Sequence, residues 1–224
     1  KATDIDDEIE LQKCEFLINK KTIIFNVIGN KEYGLGHIYR TLTIVNELIG
    51  HNIIFVCRKD DDIAIKLIKQ NNYKIFVANK NEIAQLILNL KPDCVINDVL
   101  DTNESYTKKI KNNNILQINF EDLGDGNKYA DLVINALYPN IIKKRNILSG
   151  EKYFCLRNEF YLSKSSLFKK NIKNILISFG GTDPHNLTLR VLKIIHKKCV
   201  NESIQINIVC GPGYPYYNKL TKQI

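Results

Sequence analysis

Between Lys21 and Asn135 the chain alternates short, wholly apolar runs with longer amphipathic stretches. Thr22–Ile28 (TIIFNVI) and Asn52–Cys57 (NIIFVC) are β-branched, apolar runs interrupted only at Asn26 and Asn52, the pattern of strands covered on both faces. Lys74–Val77, Cys94–Ile96, Ile115–Ile118 and Leu132–Ile134 are shorter runs of the same kind. Between them lie stretches with helical spacing. In His37–Ile49 the apolar residues Ile38, Leu42, Val45, Leu48 and Ile49 fall along one face. Asp60–Gln70 opens with acidic residues suited to a helix start, and Asn81–Leu90 and Glu104–Lys111 complete the set. Strands alternating with helices of about ten residues imply βαβ units and a mostly parallel, Rossmann-like sheet.

The pattern divides the chain. Residues 1–20 begin acidic and then read as a short amphipathic helix after Asp6-Asp7, a tail or linker ahead of the first sheet. The absence of Met at position 1 suggests that the natural start lies upstream. Residues 21–138 form the first Rossmann-like unit. The rhythm lapses over 139–170, where polar and basic residues predominate, and this stretch reads as a linker. It resumes over 171–224 with Ile175–Phe179, a helix from Asn186 to about Lys197, and Ile204–Cys210. Two strands leave apolar faces uncovered. A second unit of ordinary size would need roughly 80 to 120 further residues.

Composition narrows the class. Hydrophobic residues make up 44% and charged residues 25%, the balance of a globular protein. No apolar run approaches the roughly 18 residues that span a bilayer, so no membrane insertion is expected. The six cysteines are dispersed and form no C-x-x-C, which points to free thiols, no structural metal and a reducing cytoplasm. The net charge of +8 raises the prospect of nucleic-acid binding. Lys, Asn and Ile are all overused, however, the lysines are scattered over several helices and no aromatic-basic signature accompanies them. A compositional bias is therefore the better reading, with a positive field that attracts an anionic nucleotide substrate as the milder functional one.

In open α/β sheets ligands sit beyond the carboxyl ends of the strands, and four such places carry chemistry-bearing residues. In Gly29–Arg40 (GNKEYGLGHIYR), Gly34 and Gly36 permit a tight turn and close approach of a ligand. The helix that follows directs free N–H groups into the same space. His37 lies in its first turn with Arg40 three residues on, hence on one face. Histidine titrates close to neutrality and suits a general base; a plain tight turn explains the spacing equally well. A dinucleotide fingerprint would place a third glycine where Tyr39 stands, and Cys57-Arg58 closes the second strand where an acid is required, which disfavours NAD. No cofactor is expected.

At the second place, Asn97-Asp98 with Asp101-Thr102, Asp98 is a candidate to orient water or sugar hydroxyls, with helix capping the structural alternative. At the third, Glu121-Asp122 precedes Gly124-Asp125-Gly126; Asp122 is the candidate contact, against a Gly/Asp-rich turn. At the fourth, Gly180, Gly181 and Thr182 open a helix and are candidates for phosphate or sugar contact. There Asp183 as N-cap before Pro184 is the structural reading. His51, His185 and His196 have no comparable setting.

Taken in order, GLGHIYR, FEDLGDGNKYADLVINALYP, CLRNEFY and ISFGGTDPHNLTLRVL resemble the flagellin-glycosylation UDP-sugar hydrolases of the pseudaminic acid pathway and their relative from spore-coat polysaccharide synthesis. The resemblance covers about residues 22–224. It implies a two-domain glycosyltransferase-B fold, related to the N-acetylglucosamine-transferring enzyme of lipid II. It also implies metal-free cleavage between UDP and a diacetamido-trideoxy sugar, with the water-activating base falling on His37. The family usually has two aspartates where this chain has Glu121-Asp122, and its donor-nucleotide loop would fall beyond Ile224. Residues 1–20 (KATDIDDEIELQKCEFLI and on) are similar to the closing segment of CMP-acylneuraminate cytidylyltransferases, which implies a fused or associated cytidylyltransferase. A glycosyltransferase and a non-catalytic nucleotide-sugar-binding module are the competing readings. Ile141–Leu148 (IIKKRNIL) has some of the apolar, basic character that a lipid-linked acceptor would require.

Overall fold

The computed structural model describes residues 4–138, 145–164 and 170–222. Seven strands form one wholly parallel sheet: β1 (Thr22–Val27), β2 (Asn52–Arg58), β3 (Lys74–Ala78), β4 (Cys94–Asp98), β5 (Leu116–Phe120), β6 (Leu132–Asn135) and β7 (Ile147–Ser149). Their order is β3-β2-β1-β4-β5-β6-β7, so the direction of winding reverses between β1 and β4. That reversal opens a crevice at the carboxyl edge of the sheet.

The helices cover both faces. On one, α2 (Gly36–Val45) and α3 (Asp62–Gln70) place Ile38, Val45, Ala64 and Ile68 over Phe25, Val27, Phe55 and Cys57. On the other, α4 (Ile83–Leu90) and α5 (Glu104–Lys111) place Ile83, Ile87 and Ile110 over Ile24, Val56 and Val95. Odd and even positions of the same strand therefore serve different cores, which is why Ile23–Phe25 of β1 and Ile53–Cys57 of β2 are apolar at consecutive positions. Phe25 and Phe55 are fully buried and stack with ring centroids 5.5 Å apart. Truncating either to Ala removes a contact worth roughly 3–5 kcal/mol.

α1 (Glu8–Asn19) starts where Asp7 accepts a hydrogen bond from the Glu10 amide at 2.8 Å, and it buries none of its residues. β7 lies inside the stretch read as a linker. It pairs with β6, so residues 147–149 belong to the first sheet. Its three residues are too short for a periodicity signal, and the pairing that makes them a strand is long-range. A short helix, α6 (Asn158–Leu162), follows. The candidate acceptor-facing residues 141–144 lie outside the described residues.

A separate two-stranded parallel sheet, β8 (Asn174–Ser178) and β9 (Gln205–Val209), is packed by α7 (Leu187–Asn201), with α8 (Tyr217–Leu220) closing the described chain. Ile177, Leu189, Leu192, Tyr214 and Leu220 form its core. Leu176 and Val209 stand exposed on the strands themselves. Among the described residues no helix is long and apolar enough to cross a membrane.

Candidate active site

The loop after β1 is built around two side chains. Asn30 folds back so that its Oδ1 accepts from the amides of Glu32 and Tyr33, at 2.9 and 3.1 Å. Asp61, fully buried, accepts from the Gly29 amide and the Arg58 amide, each at 3.0 Å, and so clips the ends of β1 and β2 together. Burial pushes the Asp61 carboxyl above its ordinary value, and the two amides only partly oppose it. Gly34 sits at φ +77°, a left-handed conformation that favours glycine. Gly36 has open space where a Cβ would lie and lines a cavity of about 500 Å³. No side chain caps the start of α2, so its first amides are not satisfied by a capping group.

His37 and Arg40 project from one face of α2, as their spacing requires, and both meet Asp98 at the end of β4. His37 Nδ1 lies 2.6 Å from Asp98 Oδ1. Arg40 donates from Nε to Oδ2 at 2.7 Å and from Nη2 to Oδ1 at 2.5 Å. Asp98 is completely buried and the His37 side chain 12% exposed, so the cavity sees the opposite edge of the ring. An acceptor carboxylate at Nδ1 fixes the proton there and leaves Nε2 as the basic atom. Nε2 has no partner among the described residues.

Arg40 also donates from Nη1 to Glu121 Oε1 at 3.3 Å and lies over the Phe120 ring, 5.4 Å from its centroid. Burial works against the guanidinium charge, but the hydrogen bond and charge of Asp98, with Glu121, outweigh it and hold the Arg40 pKa above its usual value. Glu121 in turn accepts from the Ala136 and Leu137 amides, at 3.1 and 3.3 Å. Two acids and one arginine thus hold the histidine in a single orientation.

Asp98 therefore does not point to a ligand; it orients His37. Asp122 is removed further from that role. It is fully buried, and its carboxylate accepts from the Thr102 amide and hydroxyl, the Asn119 side chain and the Gly124 amide at 2.6–3.0 Å. Simple alternation along β5 would put Asp122 on the same face as Phe120 and Asp98. Glu121 breaks the alternation with φ +50°, so the glutamate reaches Arg40 and the aspartate turns away. The structure therefore brings Glu121, and not Asp122, to the His37–Arg40 cluster.

In the second glycine-rich turn Gly181 and Thr182 are engaged by protein packing, whereas Gly180 is not. A Cβ on Gly181 would lie 2.8–2.9 Å from the Leu35 side chain, and one on Gly211 would strike the Gly181 backbone. Gly181 is small because the turn at the end of β8 rests on the turn that precedes α2. Thr182 is buried, and Gly213 closes on its methyl group. Only Gly180, at φ +73° and with open space beside it, faces away from packing. The start of α7 is not vacant for phosphate: Asp183 accepts from the amides of Leu187 and Thr188, at 2.8 and 2.9 Å. The helix begins at Leu187, not beside Pro184, with Asn186 in a left-handed conformation between them.

The cavity beside His37 owes its far wall to residues read as linker. Tyr153, Phe154, Cys155, Arg157 and Phe160 face Tyr33 and Tyr39 across it. Burial, reinforced by Asp98 and Glu121 and opposed by Arg40, raises the Cys155 thiol pKa, so this cysteine is a protonated wall residue. The signal for this wall was the aromatic and basic content of CLRNEFY, which has no regular period. Among the described residues no group of three His, Cys, Asp or Glu side chains is arranged to hold a metal.

No protein-family model matches the chain. It is 40% identical over 210 residues to uncharacterized protein MJ1062 of Methanocaldococcus jannaschii, covering 86% of this chain and 43% of that protein. It is 25% identical over 209 residues to spore coat polysaccharide biosynthesis protein SpsG of Bacillus subtilis, covering 88% of this chain and 61% of that one. The chain thus spans less than two thirds of the length of either relative. Among solved structures it matches MurG of Acinetobacter baumannii with a TM-score of 0.52 and 14% identity, over 85% of this chain and 67% of that one. A glycosyltransferase from Rickettsia africae matches with a TM-score of 0.51 and 16% identity, over 86% and 69%. The chain is a distant homologue of SpsG and has the α/β fold of glycosyltransferase-B enzymes.

Proposed function

We propose that this chain supplies the water-activating half of a nucleotide-sugar hydrolase, which releases UDP and a free diacetamido-trideoxyhexose for surface polysaccharide or nonulosonic acid synthesis. The observation that carries the reading is the His37–Asp98 pair at 2.6 Å, with the free edge of the imidazole at a cavity large enough for a hexose. A nucleoside diphosphate leaves without protonation by a carboxylic acid, so a base and an anion-stabilising field suffice. Water gives its proton to His37 Nε2 as its oxygen bonds to the anomeric carbon. The bond from that carbon to UDP breaks, and its electron pair departs on the diphosphate. Asp98 stabilises the imidazolium, and the uncapped start of α2 faces the developing charge. One displacement inverts the anomeric centre.

The aromatic wall suits a deoxygenated, N-acetylated sugar, whose apolar patches pack on ring faces. The distant relation to a protein named for spore coat polysaccharide biosynthesis supports the same class of pathway. We read the two-stranded sheet as part of a second, nucleotide-gripping unit. Residues 1–20 we read as the end of an associated cytidylyltransferase; α1 exposes Ile9, Leu17 and Ile18, which suits contact with another unit.

A second reading, transfer of the sugar to a lipid-linked acceptor, draws support from the apolar cavity residues Leu137 and Phe160, both exposed. Incubating the full-length protein with the UDP-sugar alone, and following UDP release and the anomeric configuration by NMR, separates the two. Release without acceptor and with inversion supports hydrolysis. Release only with a lipid acceptor supports transfer. Binding without release favours a non-catalytic nucleotide-sugar module.

A further inference from the structure

A second cavity, of about 370 Å³, opens at the same carboxyl edge on the opposite face of the sheet. Strand alternation creates it. Val27 and Asp98 face α2, whereas Asn26 and Asn97, their neighbours on β1 and β4, face α4 and α5. The rim carries Arg58 at the end of β2, Lys80 ahead of α4 and Lys109 on α5. Among the described residues none of the three has an acidic partner within salt-bridge distance. Lys109 donates only to the Gln85 side chain, at 3.0 Å. The one carboxylate on the rim, Asp101, accepts from the Leu123 amide.

Beneath the cations lies Asn26, only 5% exposed. Its Nδ2 donates to Asn97 Oδ1 at 3.0 Å and to the Tyr106 hydroxyl at 3.2 Å. The Tyr106 hydroxyl donates to the same Asn97 oxygen, and Asn97 donates on to Asn119. This network fixes the Asn26 amide in one orientation. Its Oδ1 accepts no hydrogen bond from any described residue, although Asn26 lines the cavity. That oxygen is not sealed in the core but stands open at the cavity wall, where a bound molecule can donate to it. Strong burial also raises the Tyr106 phenol pKa, which keeps it protonated and the network intact.

We propose that this cavity binds a phosphate ester bearing free hydroxyls, with the phosphate against Arg58 and Lys80 and a hydroxyl donating to Asn26 Oδ1. The cations select an anion, and the unpaired amide oxygen selects a ligand that also donates; inorganic phosphate at neutral pH meets the first requirement better than the second. The volume fits a hexose phosphate or a mononucleotide. The site is separated by the sheet from the His37 cavity and does not depend on the hydrolase reading.

Calorimetric titration of the full-length protein with glucose 1-phosphate, UMP and inorganic phosphate tests it, alongside an Arg58→Ala/Lys80→Ala variant and Gly36→Ala, which narrows the His37 cavity. One or both esters bind more tightly than inorganic phosphate. The double variant weakens that binding by at least about tenfold, the effect of losing a charge-assisted bond, and Gly36→Ala leaves it unchanged. The tighter ester identifies the source of the ligand, sugar phosphate or nucleotide. Failure of both esters to bind at millimolar concentration overturns the proposal. So does binding retained in the double variant, and weakening by Gly36→Ala then places the ester in the other cavity.

Discussion

Replacing Asp98 by Asn tests the site's architecture separately from its chemistry. The native carboxylate receives three short contacts, one from His37 and two from Arg40, in a fully buried position. An asparagine keeps the shape but presents an N–H to one of those donors and carries no charge. Removing one member of a buried ion pair costs roughly 3–5 kcal/mol because the other charge remains. Arg40 retains Glu121 at 3.3 Å, so the lower end, about 3 kcal/mol, is the expected loss. For a chain of this length that corresponds to a fall in Tm of roughly 6–12 °C. The imidazole loses the group that fixes its tautomer, and UDP release slows by about a hundredfold to ten-thousandfold, the range expected for a positioned base. Thermal unfolding by circular dichroism and single-turnover UDP release read the two effects. A variant within about 1 kcal/mol of the parent and within about twofold of its rate would refute the reasoning, because Asp98 would then neither pair Arg40 nor orient His37.

The two glycines of the first turn should respond in opposite ways. Gly34→Ala forces a side chain into φ +77° and costs about 1–2 kcal/mol of stability. Gly36→Ala meets open space and leaves stability within about 0.5 kcal/mol, yet it narrows the cavity and lowers affinity for the UDP-sugar; denaturant titration and ligand titration distinguish them. Gly181→Ala drives a Cβ into Leu35 and destabilises by roughly 1–3 kcal/mol without touching a ligand. Asp183→Ala removes the cap of α7. Burial pushes the Asp183 carboxyl up, but the amides of Leu187 and Thr188 outweigh it and hold it below the usual value. A carboxyl with a lowered folded pKa contributes stability above its unfolded value, about 3.9, and loses it as pH falls through the folded value. The variant is therefore about 1 kcal/mol less stable at pH 7, and the gap closes in acid below about pH 4; urea unfolding at both pH values checks this.

The elements with the strongest pattern were legible. Glu104–Lys111 was read as a helix with the bounds of α5, and β1, β2 and β3 were placed within a residue at either end. Their periodicity directly reflects which face is buried. β7 was not legible, because three residues carry no period and its pairing with β6 depends on distant chain. The site divides in the same way. His37 and Arg40 share a helical face by spacing alone. Their meeting with Asp98 across β1 and β4 is a matter of register, which no local motif reports. Glu121 is hidden by its own left-handed backbone, and Gly181 resembles part of a ligand loop because close packing and ligand approach make the same demand for small residues. The wall at 153–160 reads as linker because aromatic residues without periodicity resemble loop.

In the proposed mechanism His37 activates the attacking water. Full-length protein and its His37→Ala variant, each given the UDP-linked diacetamido-trideoxyhexose, should differ by at least about a hundredfold in the rate of UDP release. Their affinities for the intact nucleotide sugar should remain within a few-fold of one another. Equal release rates in the two proteins would remove His37 from the mechanism.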